Sequence, residues 1–456
     1  MNKELDKKIQ DFLNENREQY IKDLRGLISF NSVKTEPVGD KPYGLENAKV
    51  LDFMMSLCES AGLETKNYDY YCMDATYGEG EEVVAALAHL DIVPVGDGWT
   101  YDAFAGKMIG SCMYGRGVSD DKGPGLAALY ALKALIHADV KLDRRIRLIY
   151  GCDEETGMSD MKYYLTKAEA PDYAFSPDTD FPVINAEKHL IKGTYSCKIP
   201  SESALISLEG GVAVNSVPSI AVAKISTDIC PESNDKVKFI LTGNTLEVTA
   251  YGTAAHASLP HEGDNAIAIL VNALLDIMKE DDPAIPYLSS IATCMGDWDG
   301  SGLGIKCSDE ASGGLTINLG IISYADNAIS IRFDIRHPVT LDCQATIDKM
   351  KSALPGFELS DSDIEVHDGI YRPKDSFLVK TLMDVYHEFT GDDTPPQSMG
   401  GGTYARALPN AVAFGARFIN SNSGGTHSID EFCDIDELLA ATRIYAHCFY
   451  NLANNK

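Results

Sequence analysis

No stretch of this chain approaches the ~18 consecutive apolar residues that a membrane-spanning helix needs. Basic residues are outnumbered, with 39 lysines and arginines against 68 acids, so the formal net charge is -29. Such a surface repels phosphate, which argues against nucleic acid or an anionic membrane as partner. The eleven cysteines are odd in number and none sits in a CxxC pair. That excludes a disulfide framework and a thiolate zinc site, and it fits reduced thiols in a cytosol. The stretch "MNKELDKKIQDFLNENREQYIKDLRGLISF" mixes acids and bases on an amphipathic helical pattern. It lacks the short apolar core and small-residue cleavage site of a signal peptide, so the expectation is a cytoplasmic protein. A phosphate-gripping loop is missing too. "GRGVSDDKGPG" carries the acids Asp120 and Asp121 where phosphate would sit, which sets aside a nucleotide-binding α/β protein.

What is present is a globular composition, 45% hydrophobic and 9% aromatic over 456 residues, enough for two domains or for one carrying an insertion. From about residue 46, helical patterns alternate with short apolar runs. "AKVLDFMMSLCESAG" reads as a helix with Gly62 after it, "EVVAALAHLD" as a buried strand, and "LAALYALKALIHA" as an apolar helix. "RRIRLIYGCDEE", "SDMKYYLTKAEA" and "DYAFSPD" continue as strand, helix and strand. Alternation of this kind predicts a mostly parallel sheet with helices on its faces. Near residue 189 the period changes to two, in "HLIKGTYSCKIPS", "KVKFILTGN", "TLEVTAYGT" and "NAISIRFDIRHP", with the helices "DNAIAILVNALLDIMKE" and "DCQATIDKMKSALP" between them. The α/β pattern returns around residue 373. The expected fold is α/β: a discontinuous catalytic domain, residues 1–188 and 373–456, interrupted by an inserted α+β domain, residues 189–372.

In an open parallel sheet, ligands bind beyond the carboxyl ends of the strands. Just after the predicted strands stand His89 and Asp91, Glu154 and Glu155, and Asp178, with His427 in the loop after "AVAFGARF". Asp120 and Asp121 occupy the turn that opens the next helix. A lone histidine after a strand is more often a satisfied core or surface residue, and a Glu-Glu pair is usually a solvated face. Two imidazoles and several carboxylates at four strand ends reverse that judgement. The set suits zinc, with manganese or cobalt as alternatives, and its count suits a pair of ions about 3.5–4 Å apart that share one carboxylate. One ion would take His89 and Asp178, the other Glu155 and His427, and one shared aspartate would complete both. Asp91 would accept the other ring N–H of His89. Glu154 would remain free to take a proton from water and deliver it to a leaving amine. Asp153 is read as loop chemistry, and His137, His367, His387 and His447 are assigned no role.

"AHLDIVPVGDGW", "GRGVSDDKGPGLAALYALK", "CDEETGMSDMKYY", "FSPDTDFPVINAEK" and "GGGTYARALPNAVAFGA" together resemble, in order, the motifs of the dinuclear-zinc aminoacylase/carboxypeptidase/dipeptidase family. Within it, the bacterial dipeptidase group is the nearest in pattern. The resemblance implies His89, Asp120, Glu155, Asp178 and His427 as metal ligands with Asp120 bridging, Glu154 as general acid/base, and Asp91 in support of His89. It also implies a cis peptide between Asp120 and Asp121. The inserted domain resembles the family's lid. "GTAAHAS" puts His256 where the family stabilises an oxyanion, and Asn215 in "VNSVP" and Arg336 in "DIRHP" where it holds a substrate carboxylate. The glycines Gly401 and Gly402 would let backbone N–H groups approach the substrate. Two departures stand out: Ser428 and Asp430 replace an amide pair beside His427, and His189 replaces a glycine at the entry to the lid.

The function implied is hydrolysis of unblocked dipeptides, Xaa-His types among the candidates, by a cytoplasmic enzyme with two divalent metal ions per chain. The lid would close over a short peptide substrate. A monomer is expected, with a homodimer left open. Two alternatives stand beside it: an N-acyl amino-acid deacylase with the same metal core, and a non-catalytic metal- or peptide-binding protein on the same fold.

Overall fold

The computed structural model describes residues 2–200 and 202–454. The chain divides into two compact units. The first comprises residues 1–185, 372–397 and 402–456, the second residues 186–371 and 398–401.

The first unit is built on one sheet. Its strands are β1 (Glu64–Tyr68), β2 (Cys72–Tyr77), β3 (Val83–His89), β4 (Arg145–Gly151), β5 (Tyr173–Ser176), the strand Ala411–Phe414 and β6 (Val183–Glu187). In space the order is β1-β2-β4-β3-β5, then 411–414, then β6. The four central strands run parallel, whereas β1, β2 and β6 are antiparallel to their neighbours. Parallel neighbours need a long crossover connection, whereas antiparallel ones can be joined by a short turn. All seven residues of β3 are buried, as a strand covered on both faces requires. Helix α1 (Lys122–His137) is mostly apolar and has thirteen buried residues. It lies against β3, β4 and the C-terminal helix Ile435–Asn454. Gly125 permits that approach, since a Cβ there would sit 3.0 Å from Ala88 Cβ and 3.3 Å from Tyr150 Cε1. Helix α2 (Ser159–Lys167) follows the acidic turn after β4.

The second unit holds an entirely antiparallel sheet of β7 (His189–Lys198), β8 (Leu205–Gly210), β9 (Ile220–Ser226), β10 (Val237–Thr242), β11 (Thr245–Tyr251), β12 (Thr316–Ala325) and β13 (Ala328–His337). Its spatial order is β10-β11-β9-β8-β12-β13-β7. Register puts one face inward: Ala221 opposes Ala250, Ala223 opposes Val248 and Ile225 opposes Leu246, all six buried. Helices α3 (Ala266–Ile277) and α4 (Cys343–Ala353) pack on that face within one apolar cluster. Each is capped at its start. Asn265 accepts from Ile267 N–H at 2.9 Å, and Asp342 from Gln344 N–H at 2.9 Å. Strands β8 and β12 escape the period-two reading. β8 carries a bulge between Leu205 and Ser207, and the first five residues of β12 are all buried, so neither alternates cleanly. β9 is not among the strands read from the sequence either, although its burial alternates along its length.

Candidate metal centre

The carboxyl ends of β3, β4 and β5 and the N-terminus of α1 bring the acidic residues of the first unit together. His89 closes β3, Glu154 and Glu155 lie in the turn after β4, Asp178 follows β5, and Asp120 precedes α1. His89 Nε2 is 2.9 Å from Asp120 Oδ1 and 3.8 Å from Asp178 Oδ1. His427 Nε2 is 3.0 Å from Asp120 Oδ2 and 3.2 Å from Glu155 Oε2. The two oxygens of Asp120 therefore face two different imidazoles. Donor atoms of His89, Asp120 and Glu155 all lie within 4.8 Å of one another, as do those of His89, Glu154 and Asp178. Glu154 thus stands within donor range of His89 and Asp178. The Asp120–Asp121 peptide is cis, as the resemblance implied. His427 has φ 60, a left-handed backbone that non-glycine residues seldom adopt.

Burial works against every one of these charges. It pushes Glu154 far above the usual carboxylate range, with Asp178 adding to the effect, and it pushes Asp178 up to about 6. Burial also raises Asp121, again helped by Asp178. For His89, burial alone would favour the neutral ring, yet Asp120, Asp178 and Asp91 hold it well above its ordinary value. His427 is raised to about 10 by hydrogen bonds to Asp120 and Glu155. Asp120 is the exception: burial opposes its charge, but the two imidazoles outweigh burial and keep it ionised. Among the described residues, the ion pairs of Asp120, Glu155 and Asp178 are with imidazole, not with lysine or arginine. Asp121 Oδ1 is buried without a hydrogen-bond partner. Imidazole and carboxylate donors, an aspartate facing two ways and an orphaned acidic oxygen together fit divalent cations.

The surrounding contacts differ from the sequence reading in one detail. The ring Nδ1 of His89 lies 3.0 Å from the backbone carbonyl of Asp91, and 3.5 Å from its carboxylate. The Asp91 carboxylate instead accepts from the N–H groups of Glu154 at 3.2 Å and Glu155 at 3.1 Å. The carbonyl is the nearer of the two acceptors, and the carboxylate still adds to the pull that raises His89. Asp153 is accounted for by Lys34, whose Nζ is 2.6 Å from its Oδ1, and by Ser159 N–H at 3.0 Å. Asp430, one of the departures beside His427, accepts from Thr100 N–H at 2.8 Å and Thr100 Oγ1 at 2.7 Å. Glu431 is a supporting residue that the sequence pattern leaves without a role. It is fully buried and accepts from Arg116 Nη1 at 2.8 Å, Gly117 N–H at 3.0 Å and Ser119 N–H at 2.8 Å. It thereby ties the loop of His427 to the loop of Asp120. The available signal was a single arginine in a Gly-Arg-Gly turn just upstream of Asp120.

In the second unit, His256 and Asn215 are neighbours: Ser216 bridges to His256, and Ala257 N–H donates to Asn215 O at 2.9 Å. Both side chains are exposed, and His256 Nδ1 lies 2.7 Å from Ser258 Oγ. Arg336 is buried and engaged. It meets Asp334 Oδ1 at 2.6 Å and Oδ2 at 3.1 Å, and donates to Gly400 O at 2.7 Å. Gly401 falls in the second unit and Gly402 in the first, where a Cβ on Gly402 would collide with the Arg406 guanidinium. His189 Nδ1 accepts from Gly369 N–H at 2.9 Å, and its Nε2 lies 3.0 Å from Val339 O.

Residues 85–451 match the model of peptidase family M20/M25/M40. The chain belongs to this family. It is a peptide-bond hydrolase. Among curated relatives, "Putative dipeptidase YtjP" of Bacillus subtilis (strain 168) is 35% identical over 460 residues, covering 96% of this chain and 98% of the relative. Among solved structures, the di-peptidase Dug1p of Saccharomyces cerevisiae superposes with TM-score 0.59 at 13% identity, covering 100% of both chains. The Bacillus subtilis YXEP protein, described as a dinuclear metal binding peptidase, gives TM-score 0.54 at 11% identity over 97% of this chain and 100% of that one. These likenesses extend the shared α/β fold to the whole chain. Among the described residues, no helix is long and apolar enough to cross a membrane.

Proposed function

We propose that this family member is a dinuclear metallo-dipeptidase acting on unblocked dipeptides, Xaa-His types among them. The observation that carries the reading is Asp120, whose two carboxylate oxygens face His89 and His427 at 2.9 and 3.0 Å. His89 and Asp178 would hold one cation, Glu155 and His427 the other, and Asp120 both, with zinc first and manganese or cobalt as alternatives. Such cations, when bound, polarise a scissile carbonyl and acidify the attacking water.

The remaining steps fall to side chains of the chain itself. Burial, with Asp178 beside it, raises the proton affinity of Glu154, and its carboxylate would receive a proton from water and pass it to the leaving amine. The Asp91 carboxylate fixes the backbone of Glu154 and Glu155, and the Asp91 carbonyl fixes the tautomer of His89. Stabilisation of the oxyanion is assigned to His256, and recognition of the substrate carboxylate to Asn215 and Arg336. Backbone contact to the peptide is assigned to Gly401 and Gly402. These five residue assignments rest on motif resemblance. The eleven free cysteines suit a reducing cytoplasm.

The test is a length and blocking profile with the metal-loaded enzyme. Dipeptides should turn over rapidly, and tetrapeptides and N-acetyl amino acids at least about 100-fold more slowly, a gap of the size a site built for a charged terminus can impose. Rapid cleavage of tetrapeptides with none of dipeptides rules the proposal out, and preference for N-acetyl amino acids makes the chain a deacylase.

A further inference from the structure

We propose that Asp160 and Tyr404 form a buried positioning pair that sets the turn carrying Glu154 and Glu155; its role in turnover rests on the peptidase reading above. The turn after β4 presents four consecutive backbone N–H groups, residues 152 to 155, to two carboxylates. Asp160 Oδ2 takes Cys152 at 2.7 Å and Asp153 at 2.9 Å, and Asp91 takes Glu154 at 3.2 Å and Glu155 at 3.1 Å. The Tyr404 hydroxyl donates to the same Asp160 Oδ2. Asp160 and Tyr404 are both completely buried. Without its N–H and O–H donors, a carboxylate in that setting would have nothing to offset its lost hydration. Asp160 sits in the first turn of α2, where the helix dipole also favours its charge.

Tyr404 reaches the candidate metal centre from its other end. Its N–H points at Asp178 Oδ2 at 3.4 Å, and its ring meets that of His89 edge-on with centroids 6.0 Å apart. One tyrosine therefore touches the anchor of the Glu154–Glu155 turn, a carboxylate of the cluster and an imidazole of the cluster. Gly151 leaves the necessary room, because a Cβ there would overlap both the Tyr404 hydroxyl and Asp160 Oδ2. A phenylalanine would fill the space of Tyr404 equally well. The hydroxyl is needed for its bond to Asp160, which makes the role positional.

The test compares Tyr404→Phe and Asp160→Asn with the wild-type chain. In metal-free protein, hydrogen exchange at the amides of 152 and 153 should quicken at least about 10-fold in both variants, with β4 residues 146–150 unchanged. With metals restored, kcat on a dipeptide should fall about 10- to 100-fold with KM within about threefold, the pattern of lost orientation. A merely structural role would lower the melting temperature without that split. Unchanged exchange at 152 and 153 in Tyr404→Phe, or an unchanged kcat, overturns the proposal. Should Asp160→Asn not fold, Tyr404→Phe decides alone. A wild-type chain inert to dipeptides sinks the dipeptidase reading, and the exchange result then decides the pair by itself.

Discussion

The two units treat buried charge in opposite ways. In the second, Arg336 and Asp334 lie side by side on β13 and satisfy each other through two hydrogen bonds, with Gly400 O taking a third. The charges there are balanced within the chain. In the first, Asp120, Asp121, Glu154, Glu155 and Asp178 crowd around two imidazoles, and Asp121 keeps an oxygen with no partner. A buried pair can be self-sufficient, whereas a buried acidic excess requires something from outside. The difference marks which of the two clusters calls for a cation.

Removing metal should therefore strike the first unit alone, with the largest effect. Chelation is expected to abolish turnover, and zinc, manganese or cobalt should restore it. The metal-free protein should also respond to pH. Asp178 at about 6, Glu431 at about 7 and His427 at about 10 all bind protons more readily folded than unfolded. Each contribution is fully present below the unfolded pKa and disappears as pH rises through the folded one. Thermal melts without metal should lose stability from about pH 4 towards pH 10, and added cation should recover most at the upper end, since binding displaces protons. Stability that rises with pH across this window would break the contrast.

Glu154→Gln should keep the donor set while losing the proton carrier. Elemental analysis should still find the wild-type metal content, with kcat reduced about 10²- to 10⁴-fold; activity within threefold of wild type rejects the proton role. Asp334→Ala probes the other side. It leaves Arg336 buried and unpaired, so unfolding experiments should lose about 3–5 kcal/mol while metal content stays constant. Metal loss on this change would blur the two classes. The smallest effect is expected from Asp430→Ala. Its partner Thr100 is in an exposed loop, so stability should change by about 1 kcal/mol at most and kcat/KM by less than about twofold.

The sequence revealed most where the chemistry follows a strand. "VVAALAH" is apolar to its last residue, so the first polar side chain must emerge at the sheet's edge, and the same logic finds Glu155 after β4 and Asp178 after β5. Contacts between side chain and distant backbone left no such trace. Asp160 pairs with Tyr404 across 244 positions, and neither a Ser-Asp after a turn nor a tyrosine after glycines announces that bond. Asp91 shows the same limit at short range: its residue type suggested a carboxylate for the His89 ring, but local geometry gave that bond to its carbonyl. In the second unit β11 shows its period of two and β12, buried from its first residue, does not, yet β9 alternates just as cleanly and escapes the sequence reading.

The most direct measurement is anomalous X-ray diffraction from crystals of the zinc-loaded protein. Two peaks about 3.5–4 Å apart are expected, one on each side of the Asp120 carboxylate, with His89 bound to one and His427 to the other. A single peak, or a pair that leaves Asp120 unbound, contradicts it.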